Sequence, residues 1–237
     1  MRRNSRCTLE PEADIRSMRG SATEILISAG DVMLAGELVI PSEARGLVLF
    51  AHGSGSSRHS PRNQFVANTL QEAGLATLLF DLLTIEEESA DARNGHLRFD
   101  IQFLADRLIH ASEQMKYDTE AGGLRLGLFG SSTGGGAALV AAAELKDRIG
   151  AVVSRGGRPD LAVGALRRVT CPTLLIVGGE DDTVIKLNKQ AMLALRCKKE
   201  LRIVPGASHL FEEPGALEQV AQHAAEWFTE HLASEPT

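Results

Sequence analysis

The chain has 237 residues, 43% of them hydrophobic and 24% charged, enough to bury a core within one domain of the larger sort. A formal net charge of −6 and an aromatic content of 4% argue against nucleic-acid binding and against anionic membrane surfaces as partners. Cys7, Cys171 and Cys197 stand far apart and form no C-x-x-C. Neither a disulfide frame nor a zinc site is expected, and the usage fits a reducing, cytoplasmic setting.

Residues 1–21 are polar and aperiodic. They lack the apolar core of a secretory signal and read as a flexible arm. Residues 22–237 then read as a single domain, with no apolar run near the ~20 residues of a membrane span. Glu24–Ser28 and Val32–Ile40 flank Ala29-Gly30-Asp31 and predict an antiparallel hairpin. Leu47–Ala51 (LVLFA) is a short continuous apolar run, the mark of a strand covered on both faces. A glycine- and serine-rich loop follows from His52, then a helical period that stops at Gly74, then a strand over Leu75–Phe80.

Residues 82–97 form an acidic connector whose Glu86-Glu87-Glu88 reads as a solvated face. A helix is expected from Arg98 to about Met115. The strand of Leu124–Phe129 runs into Gly130-Ser131-Ser132-Thr133-Gly134 and an alanine-rich helix. Further strands are predicted over Ile149–Ser154, Pro172–Val177 and Leu201–Val204, with Cys171 a small buried hydrophobe at a strand entrance. Pro214 then opens a closing helix through Trp227 and His231. Strands alternating with helices at this spacing mean an α/β architecture: a mostly parallel sheet of about eight strands, covered on both faces, with no large cap.

Chemistry is expected beyond the carboxyl ends of those strands. The pattern G-x-S-x-G between a strand and a helix puts Ser132 on a sharp turn, its hydroxyl exposed above the sheet as a nucleophile. The bland alternative is that Ser131 or Ser132 merely caps the helix. The next site-facing turns carry Glu180-Asp181-Asp182 and then His209, giving the order Ser, Asp, His. His209 is read as the general base, since a neutral imidazole is needed to take the serine proton. Asp182 is chosen as the acid that orients it, for leaving room for a turn after Gly178-Gly179, with Asp181 and Glu180 competing. The backbone N–H groups of Thr133 and Ser54 are expected to hold the oxyanion, with Gly55 the alternative to Ser54. His52 reads as a structural histidine that stitches its loop.

The stretches LVLFAHGSGSSRHSPRN, ATLLFDLLT, LFGSSTGGGAAL, VVSRGGRPDL, TLLIVGGEDDTV and VPGASHLFEEPGAL together resemble the α/β-hydrolases of the dienelactone hydrolase-like group. More narrowly they resemble the hydrolase unit sometimes joined to a phosphoribosyltransferase. The resemblance implies the triad Ser132, Asp182 and His209. It departs from dienelactone hydrolase proper in having Ser132 where that enzyme has cysteine, and Leu210-Phe211 where an arginine follows the histidine.

The resulting expectation is a cofactor-free, metal-free serine hydrolase of small esters. A non-catalytic binding scaffold, or a hydrolase of lactones or thioesters, is the alternative. Arg58 and Arg155 border the site in sequence and would suit a substrate bearing a carboxylate or phosphate. The competing reading pairs such arginines with Asp81, Asp160 or the acidic connector.

Overall fold

The structure, a computed structural model, describes residues 20–93 and 95–233. The arm predicted over 1–21 lies outside them, apart from Gly20 and Ser21. The strands are β1 (Ala22–Ala29), β2 (Val32–Val39), β3 (Leu47–Ala51), β4 (Ala76–Phe80), β5 (Leu126–Ser131), β6 (Ile149–Arg155), β7 (Thr173–Gly178) and β8 (Lys199–Val204). They join one eight-stranded sheet in the order β1-β2-β4-β3-β5-β6-β7-β8. β1, β2 and β4 pair antiparallel, and β4 through β8 run parallel in that spatial order. The central strands β3 to β7 are buried along their whole length, which is why they read as unbroken apolar runs.

The helices are α1 (Pro61–Glu72), α2 (Ile85–Asp91), α3 (Ile101–Lys116), α4 (Thr133–Leu145), α5 (Val163–Leu166), α6 (Asp182–Ala194) and α7 (Ala216–Leu232). One face of the sheet carries α3, α4, α5 and α6; the other packs against α1 and α7. α7 shows how its sequence chooses a face. Val220, Ala221, Ala224, Trp227, Phe228 and Leu232 recur at helical spacing and are all buried. The Phe228 ring lies where a Cβ on Gly127 would stand, 2.7 Å from its Cε1, so glycine in β5 is what admits the ring. Truncating Phe228 to alanine would cost about 3–5 kcal/mol.

Two boundaries differ from expectation for local reasons. The connector at 82–97 is not featureless: Thr84 Oγ1 accepts from Glu87 N and Glu87 Oε2 accepts from Thr84 N, a capping box that starts α2. Glu87 also pairs with the buried Arg107 at 2.7 Å, so that glutamate is no solvated bystander. The closing helix starts at Ala216 rather than Pro214, after Gly215 turns the chain at φ 78. Among the described residues no helix is long and apolar enough to cross a membrane.

Candidate active site

The turn after β5 is sharp. Ser132 adopts φ 52 and ψ −120, a region that non-glycine residues avoid at a cost of about 1–3 kcal/mol unless the surroundings hold them there. The surroundings do hold it. A Cβ on Gly130 would sit 2.3 Å from Gly134 O, and one on Gly134 would sit 2.2 Å from Ala51 O. Only glycine lets three backbone segments close this tightly. Ser132 N donates to Arg155 O at 3.1 Å, and Ser132 O accepts from Gly135 N and Arg158 N.

Ser132 stands at the N-cap of α4 yet makes no side-chain cap bond. The capping alternative for this serine therefore falls away, and its half-buried hydroxyl is left for other work. Ser131 is turned to the opposite side, buried, with its Oγ 3.5 Å from Asn63 Oδ1.

His209 lies in the loop after β8. Its Nδ1 is 2.6 Å from an Asp181 carboxylate oxygen, and it is Asp181, not Asp182, that stands there. The expectation of Asp182 is thereby corrected, and the reason lies in how the turn is held. The turn closes one residue early, with Asp181 N on Gly178 O at 3.1 Å and Glu180 N on Ala207 O at 2.9 Å. The chain then enters α6 at Asp182, whose side chain is carried out to solvent. Asp181 is left at the N-cap, where Oδ1 accepts from Val184 N at 3.3 Å while Oδ2 faces the imidazole.

The histidine loop is held from below. Phe211 is buried at φ 56, and Glu213 Oε2 accepts from Ser208 N at 3.0 Å. Hydrogen bonding from the Ser208 side chain, and then from its N–H, holds the Glu213 carboxyl below its usual range. A Cβ on Gly156, the residue after Arg155, would lie 3.5 Å from His209 Cε1. Since Arg155 O receives Ser132 N–H, His209 and Ser132 both border the end of β6.

The loop after β3 closes the other side. His52 Nε2 accepts from Leu82 N at 3.0 Å, so its proton sits on Nδ1, which donates to Gly53 O at 3.0 Å. Burial pushes its pKa below 6.5 against the raising effect of the Gly53 carbonyl, and His52 is a neutral brace between β3 and β4. Ser54 and Thr133 meet here. Ser54 N–H, however, is aimed at Thr133 Oγ1, 2.9 Å away. Beside them opens a small cavity of about 30 Å3, continuous with solvent.

Leu82, Leu83, Glu88, Arg98 and Leu104 wall that cavity, and sequence reasoning singled out none of them for a site. Thr84-x-x-Glu87 is the signal that placed α2, and with it Glu88, at this wall. Arg98 is anchored by the buried Asp91, which takes its Nε at 2.5 Å and Leu97 N at 2.6 Å. Desolvation raises the Asp91 carboxyl, but the bonds from Arg98 and Leu97 outweigh it and hold the group below its usual range.

The two arginines named as substrate contacts are both engaged within the protein. Arg58 gives both its backbone N–H and its guanidinium to Asp81. Arg155 is buried on the α1 and α7 face of the sheet, its guanidinium 5.9 Å over the Phe211 ring and 3.5 Å from Asn63 Oδ1. It has no carboxylate partner among the described residues, and burial, then the neighbouring Arg62, pushes its pKa down to about 10. Neither arginine lines the cavity beside Ser54, and neither do Ser132, Asp181 and His209. Cys171 is the buried hydrophobe expected, its thiol pushed up to about 12 by burial.

A family model described as an alpha/beta hydrolase domain matches residues 44–233. A dienelactone hydrolase from Anabaena variabilis ATCC 29413, known from its crystal structure, is 59% identical with a TM-score of 0.89, covering 90% of this chain and 99% of that one. Two curated relatives from Mycobacterium tuberculosis, strains CDC 1551 / Oshkosh and ATCC 25618 / H37Rv, are each named putative phosphoribosyl transferase. Both are 56% identical over 209 residues, 88% of this chain and 46% of theirs, so the chain spans about half their length. Est1E from Butyrivibrio proteoclasticus shares the fold at 18% identity and a TM-score of 0.75, covering 89% of this chain and 99% of that one.

Proposed function

The chain belongs to the alpha/beta hydrolase family, in its dienelactone hydrolase-like group, and from that footing we propose that it is a serine-dependent hydrolase of small carboxylic esters. The observation that carries this reading is the Asp181–His209 contact of 2.6 Å brought to the strand end where Ser132 is held at φ 52. In the proposed reaction His209 Nε2 takes the Ser132 proton as Oγ attacks the ester carbonyl. Asp181 keeps the imidazole proton on Nδ1 and stabilises the imidazolium that forms. Donors beside Thr133 hold the negative oxygen of the tetrahedral intermediate. Collapse expels the alcohol, which takes the proton from His209, and water then releases the acid by the same steps in reverse order.

The cavity walled by Leu82, Leu83 and Leu104 suits a short apolar group rather than a long chain. A lactone is the second reading, favoured by the dienelactone hydrolase name of the Anabaena protein at 59% identity. The cysteine usage supports a cytoplasmic location. The test is covalent labelling with a fluorophosphonate, followed by turnover of p-nitrophenyl acetate and of a small lactone. Labelling that disappears in Ser132→Ala, with ester turnover in the parent, is expected. A chain that neither labels nor hydrolyses any of these would be a binding scaffold.

A further inference from the structure

We propose that the side-chain hydroxyl of Thr133 is itself a donor to the tetrahedral oxygen, standing between the Ser54 N–H and the substrate. This rests on the ester-hydrolase reading above and goes beyond it. In the usual arrangement two backbone N–H groups point straight at the oxyanion. Here Ser54 N–H points instead at Thr133 Oγ1, at 2.9 Å. Its direction is spent on that oxygen.

A hydroxyl has one proton and two lone pairs. With a lone pair taken by Ser54, the Thr133 proton is free to be given. Thr133 is only 2% exposed, and among the described residues its O–H reaches no acceptor. A threonine inside a helix often donates back to the carbonyl four residues earlier. Thr133 is the first residue of α4, so that position falls on Phe129, within β5. Both Ser54 and Thr133 line the cavity.

Accepting from an N–H polarises the hydroxyl and makes it the stronger donor. The β-branched side chain has few χ1 states in a helix, which keeps the oxygen in place between substrate turnovers. The Thr133 N–H, without an intrahelical acceptor at this position, remains the direct backbone donor. The oxyanion would thus meet one N–H and one O–H of the same residue, with Ser54 acting through the hydroxyl. No proton leaves Thr133; only the hydrogen bond tightens as charge builds on the oxygen.

The experiment uses the full chain, p-nitrophenyl acetate and a fluorophosphonate. Thr133→Val keeps the shape and removes the hydroxyl, and Thr133→Ser keeps the hydroxyl. Valine should lower kcat by about 10²-fold with KM little changed and the melting temperature held, by comparison with the loss of one oxyanion donor. Serine should recover most of the rate. If valine lowers the melting temperature, Thr133→Ala gives the same comparison with a smaller side chain. Wild-type turnover together with an undiminished or faster valine variant would overturn the inference, for the hydroxyl would then only be blocking Ser54 N–H. Absence of labelling and turnover in the wild type would fell the ester-hydrolase reading, and this one with it.

Discussion

Two turns of the proposed site hold the same structural position and use it in opposite ways. Ser132 and Asp181 are each the N-cap of the helix that follows a central strand. Ser132 makes no cap bond, sits at a strained φ of 52, and keeps its hydroxyl uncommitted. Asp181 sits at φ −100, caps α6 with one oxygen and gives the other to His209. A carboxylate has two oxygens and about four acceptor sites, so it can hold the helix and the imidazole at once. A serine asked to do both would have its oxygen tied to a backbone N–H. Strain at the first turn and capping at the second are two answers to one requirement, that the reactive atom face outward from a helix start.

The largest break in that comparison is Ser132→Ala. It should lower ester turnover by about 10⁶-fold while costing no cap energy, and Ser132→Ala with His209→Ala should be little worse than either alone. Turnover by purified variants checks this, and Ser131→Ala should be mild. A dead Ser131→Ala variant beside an active Ser132→Ala one would show that the nucleophile is the other serine.

Next comes Asp181→Asn. Asparagine caps as well as aspartate, so the melting temperature should hold while kcat falls by about 10⁴, the imidazole having lost its anionic partner. Asp181→Ala should add about 1 kcal/mol of instability for the lost cap. Asp182→Asn should change neither. Equal kinetic losses at 181 and 182 would dissolve the division of labour between the two carboxylates.

Arg155 sharpens the comparison from behind, because its carbonyl holds Ser132 N–H while its own charge lacks a counter-ion among the described residues. Arg155→Met should shift KM for an anionic and a neutral ester by the same small factor, with a melting temperature equal to or above the parent's. A ~10-fold rise in KM for the anionic ester alone, about 1.4 kcal/mol, would return Arg155 to the substrate site.

The smallest effect concerns His52, which braces the loop whose Ala51 carbonyl crowds Gly134. Its folded pKa lies below 6.5, so below that value the unfolded chain binds a proton that the folded one resists. Stability is therefore full above pH 6.5 and falls as pH drops beneath it, by at most about 1.4 kcal/mol per pH unit. Carboxylates held low, such as Asp160 and Glu226 beside their arginines, add their losses only around and below their ordinary values of 3.8 and 4.5. Urea melts across pH should show the first slope in the parent and not in His52→Gln. The same slope in both would assign it to another group.

Much of this was legible in the residues themselves. Fully buried strands must be apolar throughout, so LVLFA and its fellows announced a covered parallel sheet. A serine forced to positive φ needs glycine where backbones touch, so Gly130 and Gly134 marked Ser132 before any fold was known. His209 followed from its place after the last strand. Which of Glu180, Asp181 and Asp182 would face it did not. Neighbouring side chains at a helix start point about 100° apart, so a one-residue change in the start selects a different carboxylate.

That start was set within the turn, by Asp181 N on Gly178 O, and from the neighbouring strand's loop, by Glu180 N on Ala207 O. The arginines were ambiguous for the same reason: Arg58 found Asp81 23 residues away and Arg155 found the Phe211 ring, choices that only packing makes. Local sterics are written in consecutive residues, and so the elbow could be read. Long-range partners are settled by which strand ends the fold brings side by side, and so the carboxylate facing His209 and the cavity wall waited for the structure.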